Sequence, residues 1–94
     1  MAHPGAVFRL GGNQTAAYTS AANAITNAVA TGTNVIRVVT TTKAHVKVGN
    51  SPTATTSDPI MDGYDPEYFA VTPGMKVSAV RVTASGTLHV TEVS

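Results

Sequence analysis

Along the second half of the chain, apolar and polar residues alternate in short runs, and each run ends in a turn signal. The clearest stretch is residues 67–93, where Glu-Tyr-Phe-Ala-Val, Lys-Val-Ser-Ala-Val-Arg-Val and Thr-Leu-His-Val-Thr-Glu-Val are separated by Thr72-Pro73-Gly74 and Ala84-Ser85-Gly86. A period of two, punctuated by Gly and Pro, predicts strands with short connections. Residues 35–42 are β-branched at every position except Arg37. Branched side chains are stiff at χ1 and suit a pleated surface, so a central strand is expected there. In residues 44–48, Val46 and Val48 face one way and His45 and Lys47 the other, and further on Leu88 and Val90 point together into a core. Residues 76–83 change parity, which a bulge or a strand buried on both faces would produce.

The first third is less regular. Ala6-Val7-Phe8-Arg9-Leu10 follows Pro4-Gly5 and is expected to stop at Gly11-Gly12-Asn13. Its apolar residues fall on both parities, as in a buried strand or an arm lying on a neighbour. Residues 15–30 are rich in Ala, but interleaved Thr, Ser and Asn lower helix preference and no charged i,i+4 pairs support one. Two thin strands, 15–20 and 24–29, are expected, with one short helix as the alternative. Residues 53–57 look like a polar edge strand, broken by Asp58-Pro59 before the short apolar Ile60-Met61, and residues 62–66 form a loop. The expectation is an all-β chain, a compact β-sandwich or jelly roll of about eight short, mainly antiparallel strands. Residues 1–12 read as an N-terminal strand or arm, and residues 13–94 as a single β-sandwich domain.

Composition narrows the function more than it identifies it. At 94 residues a domain buries only about 60–70% of its unfolded surface. The chain has no cysteine and no cluster of metal-ligand type, which leaves subunit association as the expected supplement to a modest core. Charged residues are 12% of the chain, and none lies between Leu10 and Val35. Such a neutral stretch suits a covered surface better than a solvated one. The net charge of +1 offers no footprint for nucleic acid, because Arg37, Lys43 and Lys47 read as a solvated face and phosphate binding needs several clustered cations. No apolar run reaches membrane-spanning length, and no basic-then-apolar leader opens the chain. The expectation is therefore no nucleic-acid partner and no membrane.

No residue set is arranged for chemistry. Serines lie in no Gly-x-Ser-x-Gly elbow, so a triad of His89, Ser85 and Asp65 would have to assemble from exposed strand positions. His45 and His89 lack the local spacing of a zinc site. Four of the five acidic residues, Asp58, Asp62, Asp65 and Glu67, fall within ten positions, yet they miss the D-x-D-x-D-G calcium pattern and are flanked by Pro59 and Pro66. A pair of them across a cleft would suit glycoside hydrolysis, but a sandwich this small has little room for a deep groove. No catalytic residue, metal or cofactor is expected. The bland reading of the block is an acidic edge. Tyr64, between Asp62 and Asp65, is the best single exposed-loop contact, since an aromatic offers large area at small entropic cost. Phe69 reads as core.

Residues 34–94, about two-thirds of the chain, resemble a group of small all-β virion proteins of tailed bacteriophages. The likeness is carried by Val35-Ile36-Arg37-Val38-Val39-Thr40-Thr41-Thr42, Val48-Gly49-Asn50-Ser51-Pro52-Thr53-Ala54-Thr55, Pro66-Glu67-Tyr68-Phe69-Ala70-Val71-Thr72-Pro73-Gly74 and Gly86-Thr87-Leu88-His89-Val90-Thr91-Glu92. Some members of that group look like decoration or cement subunits on assembled heads. The resemblance implies a capsid decoration protein without enzymatic activity, made in the host cytoplasm and located on the virion. Its implied partners are the major capsid protein and further copies of itself, with a trimer as one arrangement. Val7, Phe8 and Leu10, together with the uncharged residues 15–30, are then the expected capsid or subunit contact. The rival expectation is a phage fibre or adhesin module whose Tyr64 loop binds a host-surface glycan.

Overall fold

The computed structural model describes residues 10–93. Eight strands run β1 (Leu10–Tyr18), β2 (Asn23–Ala24), β3 (Val35–Thr40), β4 (Ala44–Gly49), β5 (Ile60–Met61), β6 (Glu67–Ala70), β7 (Lys76–Arg81) and β8 (Gly86–Val93). They form two four-stranded antiparallel sheets, one ordered β1-β8-β3-β6 and the other β2-β7-β4-β5. The pairs nest: β1 with β8, β2 with β7, β3 with β6 and β4 with β5, alternating between the sheets. That is the winding of a jelly roll, one long folded ribbon wrapped into a sandwich. No helix occurs among the described residues.

The core follows from the period of two. Ile36, Val38 and Thr40 of β3, Leu88 and Val90 of β8, and Ala16 and Tyr18 of β1 point inward from the first sheet; Ala44, Val46, Val77 and Ala79 meet them from the second. The parity change in β7 is burial on both faces, since Ser78 and Val80 are also covered. Their cover is the 50–59 connection, in which Ala54 is buried and its amide donates to Ser78 Oγ at 3.0 Å.

This cover corrects two expectations. His45, read as outward and solvated, is buried, and its Nδ1–H donates to the Asp58 carbonyl at 2.9 Å. Residues 53–57 are not an edge strand. Asp58 Oδ2 accepts from the Thr55 amide and hydroxyl at 2.8 and 3.2 Å, and the Asp58 amide donates back to Thr55 O at 3.0 Å. Short polar side chains thus take the backbone groups a ladder would need.

Two further differences lie in the first third. Gly11-Gly12-Asn13 does not stop a strand. β1 runs through it with a register shift between Leu10 and Asn13, a bulge that glycine accommodates without crowding. Leu10 to Gly12 therefore belong to the sheet. Residues 15–20 are largely strand as expected, but the 24–29 strand shrinks to β2. Beyond it, Gln14 closes a two-way bond with Asn27, Nε2 to the carbonyl and the amide to Oε1, both at 2.9 Å. The chain bends there, while Ile25 and Val29 keep single bonds to Val77 O and Met75 O at 3.0 and 2.7 Å and bury their side chains.

Candidate functional site

The connections 19–22, 41–43, 62–66 and 82–85 each carry the chain from one sheet to the other, and all four gather at one end of the sandwich. The end is tied together beneath its surface. Tyr18, 1% exposed, accepts the Thr42 amide at 3.1 Å on its hydroxyl oxygen and lies 2.9 Å from Thr42 O and 2.8 Å from Thr42 Oγ1 as donor. Thr42 Oγ1 donates on to Ala84 O at 2.8 Å. Thr41 Oγ1 takes the Thr87 amide at 2.8 Å, and the Thr41 amide returns a bond to Thr87 O at 3.1 Å. A Cβ on Gly86 would sit 2.6 Å from both the Tyr18 and Thr42 oxygens. Only glycine fits beside this knot of hydroxyls.

The 62–66 loop leaves that platform. Its base is fixed by the Tyr64 amide, which donates to Thr40 O at 2.6 Å, and by Gly63, whose absent Cβ would come within 3.2 Å of the Thr41–Thr42 backbone. At the tip Tyr64 has φ of 60°, a left-handed conformation in which an aromatic residue is uncommon. Its ring is 74% exposed. Asp62 Oδ1 stands 3.8 Å from Lys43 Nζ, an exposed pair of small energetic weight. Asp65 is exposed on the same loop. The structure therefore brings Tyr64, Asp62 and Asp65 together on one rigidly based tip, with Lys43 beside them.

Other residues singled out in the sequence are not brought together. His45 lies on the outer side of the second sheet under its cover. His89 lies on the outer face of the first, paired with Thr15 and Val39. Neither a histidine pair nor the His89, Ser85 and Asp65 set is assembled, and among the described residues no group of three His, Cys, Asp or Glu side chains is placed to hold a metal. Arg37 and Lys47 likewise point from opposite sheets. Of the expected contact residues, Leu10 opens β1 opposite Val93, while Val7 and Phe8 lie outside the described residues. The uncharged stretch supplies the β1 edge and the 19–34 crossing, where Thr15, Ala17, Thr26 and Ala30 are exposed.

Sequence reasoning missed a crevice of about 320 Å³ at the β5 and β6 edges, floored by Val46, Val48, Met61 and Phe69 and lipped by Ile60. It exists because β5 is two residues long and pairs only with Ala44 and His45, leaving the rest of β4 without a strand on that side. The exposed Ile60 in a two-residue apolar run was the available signal. Its volume is at the low end for a small-molecule site. No helix among the described residues is long and apolar enough to cross a membrane. Compared with known proteins, the chain matches no family model, no curated protein and no solved structure.

Proposed function

We propose that this protein is a bacteriophage structural subunit that decorates the assembled capsid and stabilises it by binding non-covalently across capsid-subunit junctions. One observation carries the reading: the stretch from Leu10 to Val35 holds no charge and contributes an exposed strand edge and crossing. A neutral, Thr- and Ala-rich surface can be covered without stranding an ion away from water. The likeness of residues 34–94 to phage virion proteins supports the same reading, and jelly rolls do serve in viral capsids, though they also serve in lectins and enzymes. The mechanism needs no reactive group. A subunit that binds only the assembled shell shifts the assembly equilibrium by mass action, and contacts between bound copies raise the effective concentration of each further attachment. Partners are the major capsid protein and other copies, and the location is the virion surface.

The test is co-sedimentation of purified protein with shells. Binding at fixed stoichiometry, with a rise in the temperature at which shells open, is the expected result; no binding at micromolar protein removes the proposal. A glycan-binding fibre or adhesin module is the second reading, favoured by the exposed Tyr64 ring at a left-handed loop tip. In that case the protein binds cells or polysaccharide without any shell, and Tyr64→Ala abolishes binding.

A further inference from the structure

The crevice at the β5 and β6 edges is an open side of the sandwich. Glu67 and Phe69, opposite Val38 and Ile36, face inward from the first sheet, while Val46, Val48 and Met61, opposite Ala79, Val77 and Ala44, face them from the second. No strand lies beyond β6. The Val71 amide donates to Asn34 O, so the two-residue period turns the backbone of Ala70 away from β3 and toward the open side. On the facing sheet the Val46 amide donates to Pro59 O at 2.9 Å, and Val48, two residues on, turns its backbone the same way past the end of β5. An apolar crevice between two such edges suits an added extended segment, which bonds along an edge and sends alternate side chains inward.

We infer that the occupant is the segment Ala6-Val7-Phe8-Arg9 of a second copy, added beside β6 with Phe8 in the crevice. Charge and reach choose it. The segment 58–67, which builds β5, the corner loop and β6, carries four acids and no Lys or Arg. The edge is therefore acidic, and Lys47, the one cation bordering the crevice, belongs to the outer face of the second sheet. Residues 1–9 hold Arg9 and no acid, so an apolar segment with a cation meets a complementary edge. Reach decides whose segment it is. Leu10, Val93, Val35 and Ala70 form one row across the first sheet, which places Leu10 and Ala70 three strand spacings, about 14 Å, apart. Phe8 is two residues from Leu10, and extended chain covers at most about 7 Å in that span. The crevice begins beyond Ala70, at Phe69, so a copy's own Phe8 falls short of it and a neighbour's does not. A volume of about 320 Å³ accommodates one aromatic anchor with Ala6 on the same parity beside it. Each copy donates one arm and receives one, and the set closes as a pair exchanging arms or as a ring.

Arm exchange involves only this chain, so it is tested without shells, and its failure leaves shell binding to be judged by co-sedimentation. Sedimentation velocity of the full chain at micromolar concentration is expected to show a discrete oligomer. Phe8→Asp should raise its dissociation constant by roughly tenfold or more, as removal of an aromatic anchor does, and Glu67→Lys should weaken it in a salt-dependent way. Circular dichroism should not change, since Phe8 precedes β1 and Glu67 is exposed. The chain has no cysteine, so Phe8→Cys and Val48→Cys chains mixed under mild oxidation should give the mixed disulfide-linked dimer in preference to either homodimer. One chain carrying both changes should give linked multimers on a non-reducing gel. A fluorescent peptide of residues 1–10 should bind the full-length Phe8→Asp chain, whose crevice has lost its donor, more tightly than it binds the parent. A monomer throughout the micromolar range overturns the inference, as does an oligomer unchanged by Phe8→Asp. A doubly substituted chain that closes on itself as a monomer puts a copy's own arm in the crevice and overturns exchange. Loss of shell binding by Phe8→Asp with the oligomer intact assigns the arm to the shell instead.

Discussion

Replacing Tyr18 by Phe removes one oxygen atom from the base of the corner end and leaves the ring in the core. The hydroxyl takes the Thr42 amide at 3.1 Å and can donate its single proton to Thr42 O at 2.9 Å or Thr42 Oγ1 at 2.8 Å. Thr42 Oγ1 commits its own proton to Ala84 O, so the tyrosine acts as donor within this chain. In the Phe variant the Thr42 amide loses its acceptor beside a side chain that is 1% exposed, where water has poor access. Leaving one such donor unsatisfied costs about 1–3 kcal/mol. For a domain of this size each kcal/mol lowers the melting temperature by about 4–8 °C, so a loss near 2 kcal/mol lowers it by about 8–16 °C and the urea midpoint by about 1 M. Far-ultraviolet circular dichroism during heating and urea titration measures both. Combining Tyr18→Phe with Thr42→Val completes a double-mutant cycle, and a coupling above about 0.5 kcal/mol is expected for groups in one network. A Tyr18→Phe variant within about 0.5 kcal/mol of the parent would refute the reasoning, because it would mean that water replaces the hydroxyl without penalty.

Three further changes probe the same architecture elsewhere. Gly86→Ala places a methyl 2.6 Å from the Tyr18 and Thr42 oxygens; it should cost about 1–3 kcal/mol as overpacking does, and in combination with Tyr18→Phe the losses should not add. Glu92→Ala removes the carboxylate that takes the Ala30 amide at 3.1 Å and the Thr33 hydroxyl at 2.8 Å; a loss of about 1 kcal/mol is expected, together with faster hydrogen exchange at Ala30 and little change in β7. Ser78→Ala deprives the Ala54 amide of its acceptor; the 50–59 cover should then open on its own, seen as increased protease cleavage there before global unfolding.

Much of the fold is legible in local pattern because a strand's side chains alternate with a period of two. β3 and the inward pair Leu88 and Val90 follow from that rule, as does the double burial of β7 once its parity change is noticed. Pattern fails where side chains compete with the ladder for backbone groups, at Gln14 with Asn27 and at Thr55 with Asp58, and at Gly11–Gly12, where a strand continues through a bulge that reads locally as a stop. The exposed Tyr64 loop was readable from its turn residues. The crevice was not, because it depends on how briefly β5 pairs with β4.

Alternation assigns each residue to a face; it does not say what lies on the far side of that face. His45 and Lys47 share one parity of β4, yet His45 is buried and Lys47 exposed, because the 50–59 connection that follows β4 folds back over only one of them. Tyr18 is an ordinary strand residue until the corners carrying Thr42, Ala84 and Gly86 meet around its hydroxyl. The amino-acid order settles which stretches extend and which side of each is apolar, since those depend on neighbours within a few positions. The nesting of the strand pairs, the cover over β7 and the gathering of four corners at one end arise from contacts distant in sequence, whose geometry exists only once the whole ribbon has closed on itself.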